Sequence, residues 1–283
     1  MKICWKHAVA FGLLACTAAA QAQTNPFAKG PDPTLAGIRG NGPFAISSQV
    51  VARQAGIGGA TVFSPNTPGT YALIALCPGF TEGEPSVTPI GMQLATHGFV
   101  VAAMTTVTRL DLPPSRATQL LATLDIVRAL NTGPVAGKID INRVVVGGHS
   151  MGGGGTLGAS VTRPGILAGL PFAPFSVDKS FATSVPQFIF GGQNDNIANP
   201  DNHAIMFYEQ LTDSTPKVYV ELTGQNHFFV NNNVAPSAQF AIAWAKRFAD
   251  NDRRYEQFIT AGAVQAEMAA GRLVAIRRES VPF

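Results

Sequence analysis

The segment Arg143-Val-Val-Val-Gly-Gly-His-Ser-Met-Gly-Gly-Gly-Gly155 couples a β-branched run to a glycine-rich turn and the start of a helix. Within it, Gly148-His149-Ser150-Met151-Gly152 is a G-x-S-x-G match. The motif holds a serine on a sharp strand-to-helix turn, where small residues two positions to either side let the backbone pass closely. The surroundings fit: a valine strand precedes the serine, and the small residues Gly152 to Ala159 suit a helix packed tightly on a sheet. A phosphate-binding loop is the other glycine-rich possibility. It fails, because no G-x-x-x-x-G-K-[ST] is present.

A serine at its ordinary pKa is a weak nucleophile and needs a general base. In strand–serine–helix folds the chain order is serine, acid, histidine. Of the five histidines, His7 and His97 precede Ser150, and His149 stands in the turn itself, with its side chain expected to face the cleft. His227, in Thr223-Gly-Gln-Asn-His-Phe228 after a strand-like run, is the expected base; His203, at the start of a helix, reads as a surface or cleft-rim residue. Asp195, in the turn after the run Gln187–Phe190, is the expected acid, because open α/β sheets gather their sites at the carboxyl ends of strands. Asp178 is the alternative acid, and Asp201, beside Pro200, reads as a helix-start residue. An oxyanion hole needs two backbone N–H groups. Met151, after the serine, supplies one, and Phe80, in the loop Cys77-Pro-Gly-Phe-Thr81, supplies the other.

Outward from the turn, short β-like runs alternate with helical ones. Strands are predicted over 44–52, 60–64, 71–77, 99–106, 143–147, 167–172, 187–190 and 217–222, and helices over 115–130, 202–211 and 237–249. That pattern predicts one α/β domain with a mostly parallel central sheet flanked by helices. Residues 23–283 are expected to form that domain; the C-terminal extension 262–283 has no assigned structure, and its charged stretch Arg272…Arg277-Arg278-Glu279 reads as a solvated helix or tail.

Composition narrows the function classes. The chain has 283 residues, 46% hydrophobic and only 13% charged, which excludes intrinsic disorder. Residues 1–22 read as a secretory signal peptide, with Lys2, Lys6 and His7 before an apolar run and an Ala20-Gln21-Ala22 cleavage site. Leu13-Leu14-Ala15-Cys16 loosely resembles a lipoprotein box, so periplasmic or lipid-anchored forms are the alternatives. Removing that segment lowers the net charge from +3 to +1. No basic stripe suggests a nucleic-acid partner, and no later run is long and apolar enough to span a bilayer. Cys4 and Cys16 leave with the signal peptide, and Cys77 reads as a buried small hydrophobe, a nucleophilic role being the alternative.

Gly148-His-Ser-Met-Gly-Gly-Gly-Gly155, Cys77-Pro-Gly-Phe-Thr81, Asn25-Pro-Phe-Ala-Lys-Gly-Pro-Asp-Pro33, Pro216-Lys-Val-Tyr-Val-Glu-Leu222 and the tail Trp244–Phe258 together resemble bacterial cutinases and poly(ethylene terephthalate) hydrolases. The resemblance covers about residues 25 to 260. It implies a lidless α/β-hydrolase fold and hydrolysis of carboxylic esters, including polyesters, without cofactor or metal. Ser150, Asp195 and His227 match the family's triad, and Phe80 and Met151 its oxyanion residues. His149, Ile197, His203 and Phe207 match cleft positions, and Phe175 follows Ala173-Pro174 where the family usually carries tryptophan. The family's C-terminal disulfide is absent, and Gly192 and Phe229 stand where some members have a second. The acidic residues of Thr81-Glu-Gly-Glu-Pro-Ser86 could repel acidic products or be solvated loop charges. A secreted monomeric esterase acting on ester or polyester substrates is the expectation. An ordinary short-chain esterase or lipase, and a catalytically silent binding protein, are the alternatives.

Overall fold

The computed structural model describes residues 25–232 and 235–283. The proposed signal peptide, with Cys4 and Cys16, lies outside them. A short helix α1 (Leu35–Arg39) leads into the hairpin β1 (Ile46–Val51) and β2 (Gly59–Pro65). Then follow β3 (Tyr71–Cys77), α2 (Thr88–Thr96), β4 (Val100–Thr105), α3 (Pro113–Arg128), β5 (Ile139–His149) and α4 (Met151–Thr162). The second half runs β6 (Ala168–Phe172), β7 (Gln187–Gly192), α5 (Ala204–Gln210), β8 (Lys217–Leu222), α6 (Ser237–Ala249), α7 (Ala261–Ala269) and β9 (Leu273–Glu279).

These strands form one sheet in the order β1-β2-β4-β3-β5-β6-β7-β8-β9. Pairing is parallel from β4 through β8 and antiparallel at both flanks. The expected α/β-hydrolase architecture is therefore present. Side chains alternate across each strand, so one strand serves two cores. Ile74 and Leu76 of β3 face a core with Ile90, Leu94, Phe240 and Trp244 of α2 and α6. Leu73, Ala75 and Cys77 of the same strand face Leu120, Leu124 and Val127 of α3. Cys77 thus sits in a core, fully buried, and burial pushes its thiol up to about 11, as expected of a structural cysteine.

The glycines of α4 seat that helix. A side chain at Gly152 would meet the Cys77 carbonyl at 2.3 Å, and one at Gly154 would meet the Phe175 carbonyl at 2.3 Å. Only residues without Cβ let α4 approach the end of β3 and the loop after β6 this closely.

The extension 262–283 is ordered. Its first part is α7, whose Val264 packs into the body, and the charged stretch, expected as a solvated helix or tail, is instead β9, antiparallel to β8. The physical reason is edge protection, since β8 would otherwise present unpaired backbone groups beside Val218, Val220 and Leu222. Leu273 and Ile276 pack inward, while Arg277 reaches Glu209 at 2.7 Å and Glu279 meets Lys217 at 3.1 Å.

Candidate active site

Ser150 stands between β5 and α4 with φ 55° and ψ −119°, a conformation that L-residues adopt only under constraint. The constraint is visible: Ser150 N–H donates to the Phe172 carbonyl at 2.9 Å, and the Ser150 carbonyl accepts from Phe175 N–H at 2.8 Å. The turn is therefore clamped to the end of β6. Across it runs the loop after β3, so close that a side chain on Gly79 would lie 3.0 Å from Ser150 Cβ.

Asp195 and His227 follow β7 and β8, neighbouring parallel strands that end on the same side of the sheet as β5. Asp195 is 1% exposed and His227 4%. His227 Nδ1 lies 2.7 Å from Asp195 Oδ2, while Asp195 Oδ1 accepts from the N–H groups of Ile197 and Ala198 at 2.9 and 2.7 Å. Burial opposes ionisation of Asp195, but the hydrogen bond and charge of His227 and the two backbone donors outweigh it. They hold the carboxyl below its ordinary value. An ionised Asp195 only accepts, so Nδ1 carries the ring proton and Nε2 is left as the basic nitrogen. Among the described residues neither His227 Nε2 nor the Ser150 hydroxyl makes a hydrogen bond. Such catalytic bonds are often open in a free enzyme and close with substrate.

The two expected oxyanion donors are placed differently. Met151 is the first residue of α4, where a backbone N–H has no intrahelical acceptor. In the loop after β3, Gly79 N–H donates to Glu82 and Thr81 N–H to the Arg109 carbonyl at 2.8 Å. Phe80 N–H, between them, has no protein acceptor among the described residues. Phe80's side chain is 42% exposed and Ile197's is 54%.

Phe175 is half-buried and lies against His203, ring centroids 4.6 Å apart. Lys179 Nζ donates to His203 Nδ1 at 2.9 Å. Burial, then the Lys179 charge, brings the His203 imidazole down to about 4, so it is a neutral platform for Phe175. Asp178 does not reach His227; its Oδ1 accepts from Ser180 N–H at 3.0 Å. Asp201 lies in the first turn of the helical segment Pro200–Asn202, which Asn199 caps.

Two expectations about the cleft are corrected. His149 does not face it: the ring is 0% exposed, with Nδ1 2.7 Å from Glu82 Oε2 and Nε2 2.8 Å from the His227 carbonyl. Strand β5 continues through residue 149, so its alternation turns that side chain inward. Phe207, also fully buried, packs edge-on against Phe181 beneath His203 and lines no cleft.

Sequence reasoning also missed partners. Glu82 is not a solvated loop charge. Its carboxylate binds Gly79 N–H at 2.7 Å, His149, and Asn231 Nδ2 at 2.9 Å. Burial works against that charge, yet the His149 hydrogen bond and charge, helped by Asn231 and Gly79, bring the carboxyl down to about 2. Phe228, 43% exposed and edge-on to His227 at 5.3 Å, was also overlooked, although its place beside the base was a usable signal.

Residues 21–280 match the family model described as PET hydrolase-like. Cutinase 1 of Thermobifida cellulosilytica is 41% identical over 242 residues, spanning 84% of this chain and 92% of the relative. The bis(hydroxyethyl) terephthalate hydrolase of Streptomyces coelicolor is 42% identical over 246 residues, spanning 85% and 79%. Cutinase est1 of Thermobifida alba is 41% identical over 249 residues, spanning 86% and 84%. The family match over nearly the whole chain and these identities agree: the chain belongs to the PET hydrolase-like family.

Proposed function

We propose that this protein hydrolyses carboxylic esters, polyesters among them, through a serine acyl-enzyme. The hydrogen-bonded Asp195–His227 pair beside the constrained Ser150 carries the reading. Ser150 Oγ attacks the ester carbonyl carbon while His227 Nε2 takes its proton. The N–H groups of Phe80 and Met151 receive the negative charge on the carbonyl oxygen. The tetrahedral intermediate collapses, the C–O bond to the alcohol breaks, and His227 returns the proton to the departing oxygen. Water then attacks the acyl-enzyme with His227 again as base, releasing the acid and restoring Ser150. Asp195 fixes the tautomer of His227 and stabilises its imidazolium at each step.

A polymer substrate is favoured by where exposed apolar side chains lie. Twelve large apolar side chains are exposed among the described residues, and six of them, Phe80, Leu110, Leu112, Val177, Ile197 and Phe228, follow the C-terminal ends of parallel strands. The edge that carries Ser150 is thus the one suited to settling on an apolar solid. In the same proposal the protein is exported and acts as a monomeric single domain over residues 23–283, and among the described residues no helix is long and apolar enough to cross a membrane. The test is release of terephthalate from polyester film beside hydrolysis of soluble acyl esters of increasing chain length. We expect both. Turnover of soluble esters with no release from film would reduce the reading to a short-chain esterase.

A further inference from the structure

Glu82 stands two residues past Phe80, and its contacts join three parts of the site. Oε2 accepts from Gly79 N–H and faces His149 Nδ1, each at 2.7 Å, and Oε1 accepts from Asn231 Nδ2 at 2.9 Å. On the far side of the ring, His149 Nε2 faces the His227 carbonyl at 2.8 Å. Both nitrogens of one buried imidazole therefore face oxygens with no hydrogen to give, a carboxylate and a main-chain carbonyl. A neutral imidazole has one N–H; only the imidazolium satisfies both. The cation needs a counter-charge in so buried a place, and the Glu82 side chain, 13% exposed, provides it. The other groups about the pair are the His227 and Phe228 rings, 4.7 and 6.0 Å from the His149 ring, the Cys77 thiol, and Arg109 beside Gly83.

We propose that Glu82 and His149 form a permanently charged pair that ties the oxyanion loop to the loop bearing His227, which makes both of them positioning residues. The inference rests on the reading of Ser150, His227 and Asp195 given above. Through Gly79 the pair sets the height of the turn that offers Phe80 N–H. Through the His227 carbonyl it sets the backbone from which the base projects. One ion pair thus fixes the distance between oxyanion donor and base, two groups carried by different strands. Without the carboxylate the ring reverts to a neutral tautomer, and one of its two bonds is lost.

Glu82→Gln keeps the size of the side chain and removes its charge. The full chain, labelled with 15N-histidine, is observed by NMR at pH 8, with His149 assigned from its absence in His149→Asn. We expect protons on both His149 nitrogens in the unsubstituted protein and on one in Glu82→Gln. Kinetics on p-nitrophenyl butyrate are expected to show kcat reduced roughly 10- to 100-fold with KM nearly unchanged, the mark of misplaced catalytic groups. A single N–H on His149 in the unsubstituted protein would overturn the proposal, as would a Glu82→Gln variant with unaltered kcat. Should that variant not fold, the spectrum of the unsubstituted protein decides alone. Retained activity in Ser150→Ala would instead strike the catalytic reading, and would leave the spectrum of His149 as it is.

Discussion

Histidine charge states organise this molecule at the residue scale. His227 is oriented by an ionised Asp195, His149 is bracketed by two acceptors, and His203 is kept neutral behind Phe175. His97, 4% exposed, is neutral for a related reason: burial and the nearby Lys246 charge bring it down to about 4 against the opposing Gly40 carbonyl. His97 and His203 refuse protons in the folded state that the unfolded chain takes up below its ordinary value of 6.5. Stability therefore rises with pH between about 4 and 6.5 and is lower on the acid side. Glu82, depressed from 4.5 to about 2, adds the same sign at lower pH, its contribution being lost as pH falls through that range. Thermal midpoints measured at pH 5 are expected below those at pH 7. Equal midpoints would contradict a net excess of protons bound by the unfolded chain over this range.

Elements carry the stability of the sheet's opposite end. Arg143, at the start of the valine run of β5, meets Asp140 at 2.8 Å and Asp250 after α6, and its guanidinium lies over the Phe27 ring. Lys246, 0% exposed, meets the same Asp250 at 2.7 Å. Asp250→Ala would leave two buried cations without their shared partner, an expected loss of about 3–5 kcal/mol. Urea unfolding measures it, and a loss under about 1 kcal/mol would mean that water replaces the carboxylate. The same elements show what can be read from a chain and what cannot. Helix α6 was legible to its ends, because Phe240, Ala243, Trp244 and Phe248 recur at helical spacing. The placement of Ser150, Asp195 and His227 after three strands that end on one side of the sheet was legible, because strand ends and chain order locate them. Strand β9 was not, since its apolar run Leu273–Ile276 is only four residues long and passes straight into Arg277-Arg278-Glu279, and the partner of Arg277, Glu209, lies far back along the chain. Nor was the Glu82–His149–Asn231 cluster, whose members are separated by 67 and 149 positions and meet only after the sheet closes.

For the whole molecule, the low charge content and the apolar strand-end loops describe one asymmetric body. The buried Arg143–Asp250 and Lys246–Asp250 pairs lie at the end of the sheet where β5 begins, and half of the twelve exposed large apolar side chains at the end where Ser150 lies. Cys77 is the one cysteine among the described residues and is buried, so packing and these charges hold the fold there without a crosslink. The proposed catalysis requires Ser150 to be the group that bonds covalently to the substrate's acyl carbon. Reaction with a fluorophosphonate, followed by mass mapping of the adduct and residual esterase activity, tests that most directly. One adduct on Ser150, with activity lost in proportion to labelling and no labelling of Ser150→Ala, is the predicted result. An adduct on another residue, or full activity in the labelled protein, would contradict it.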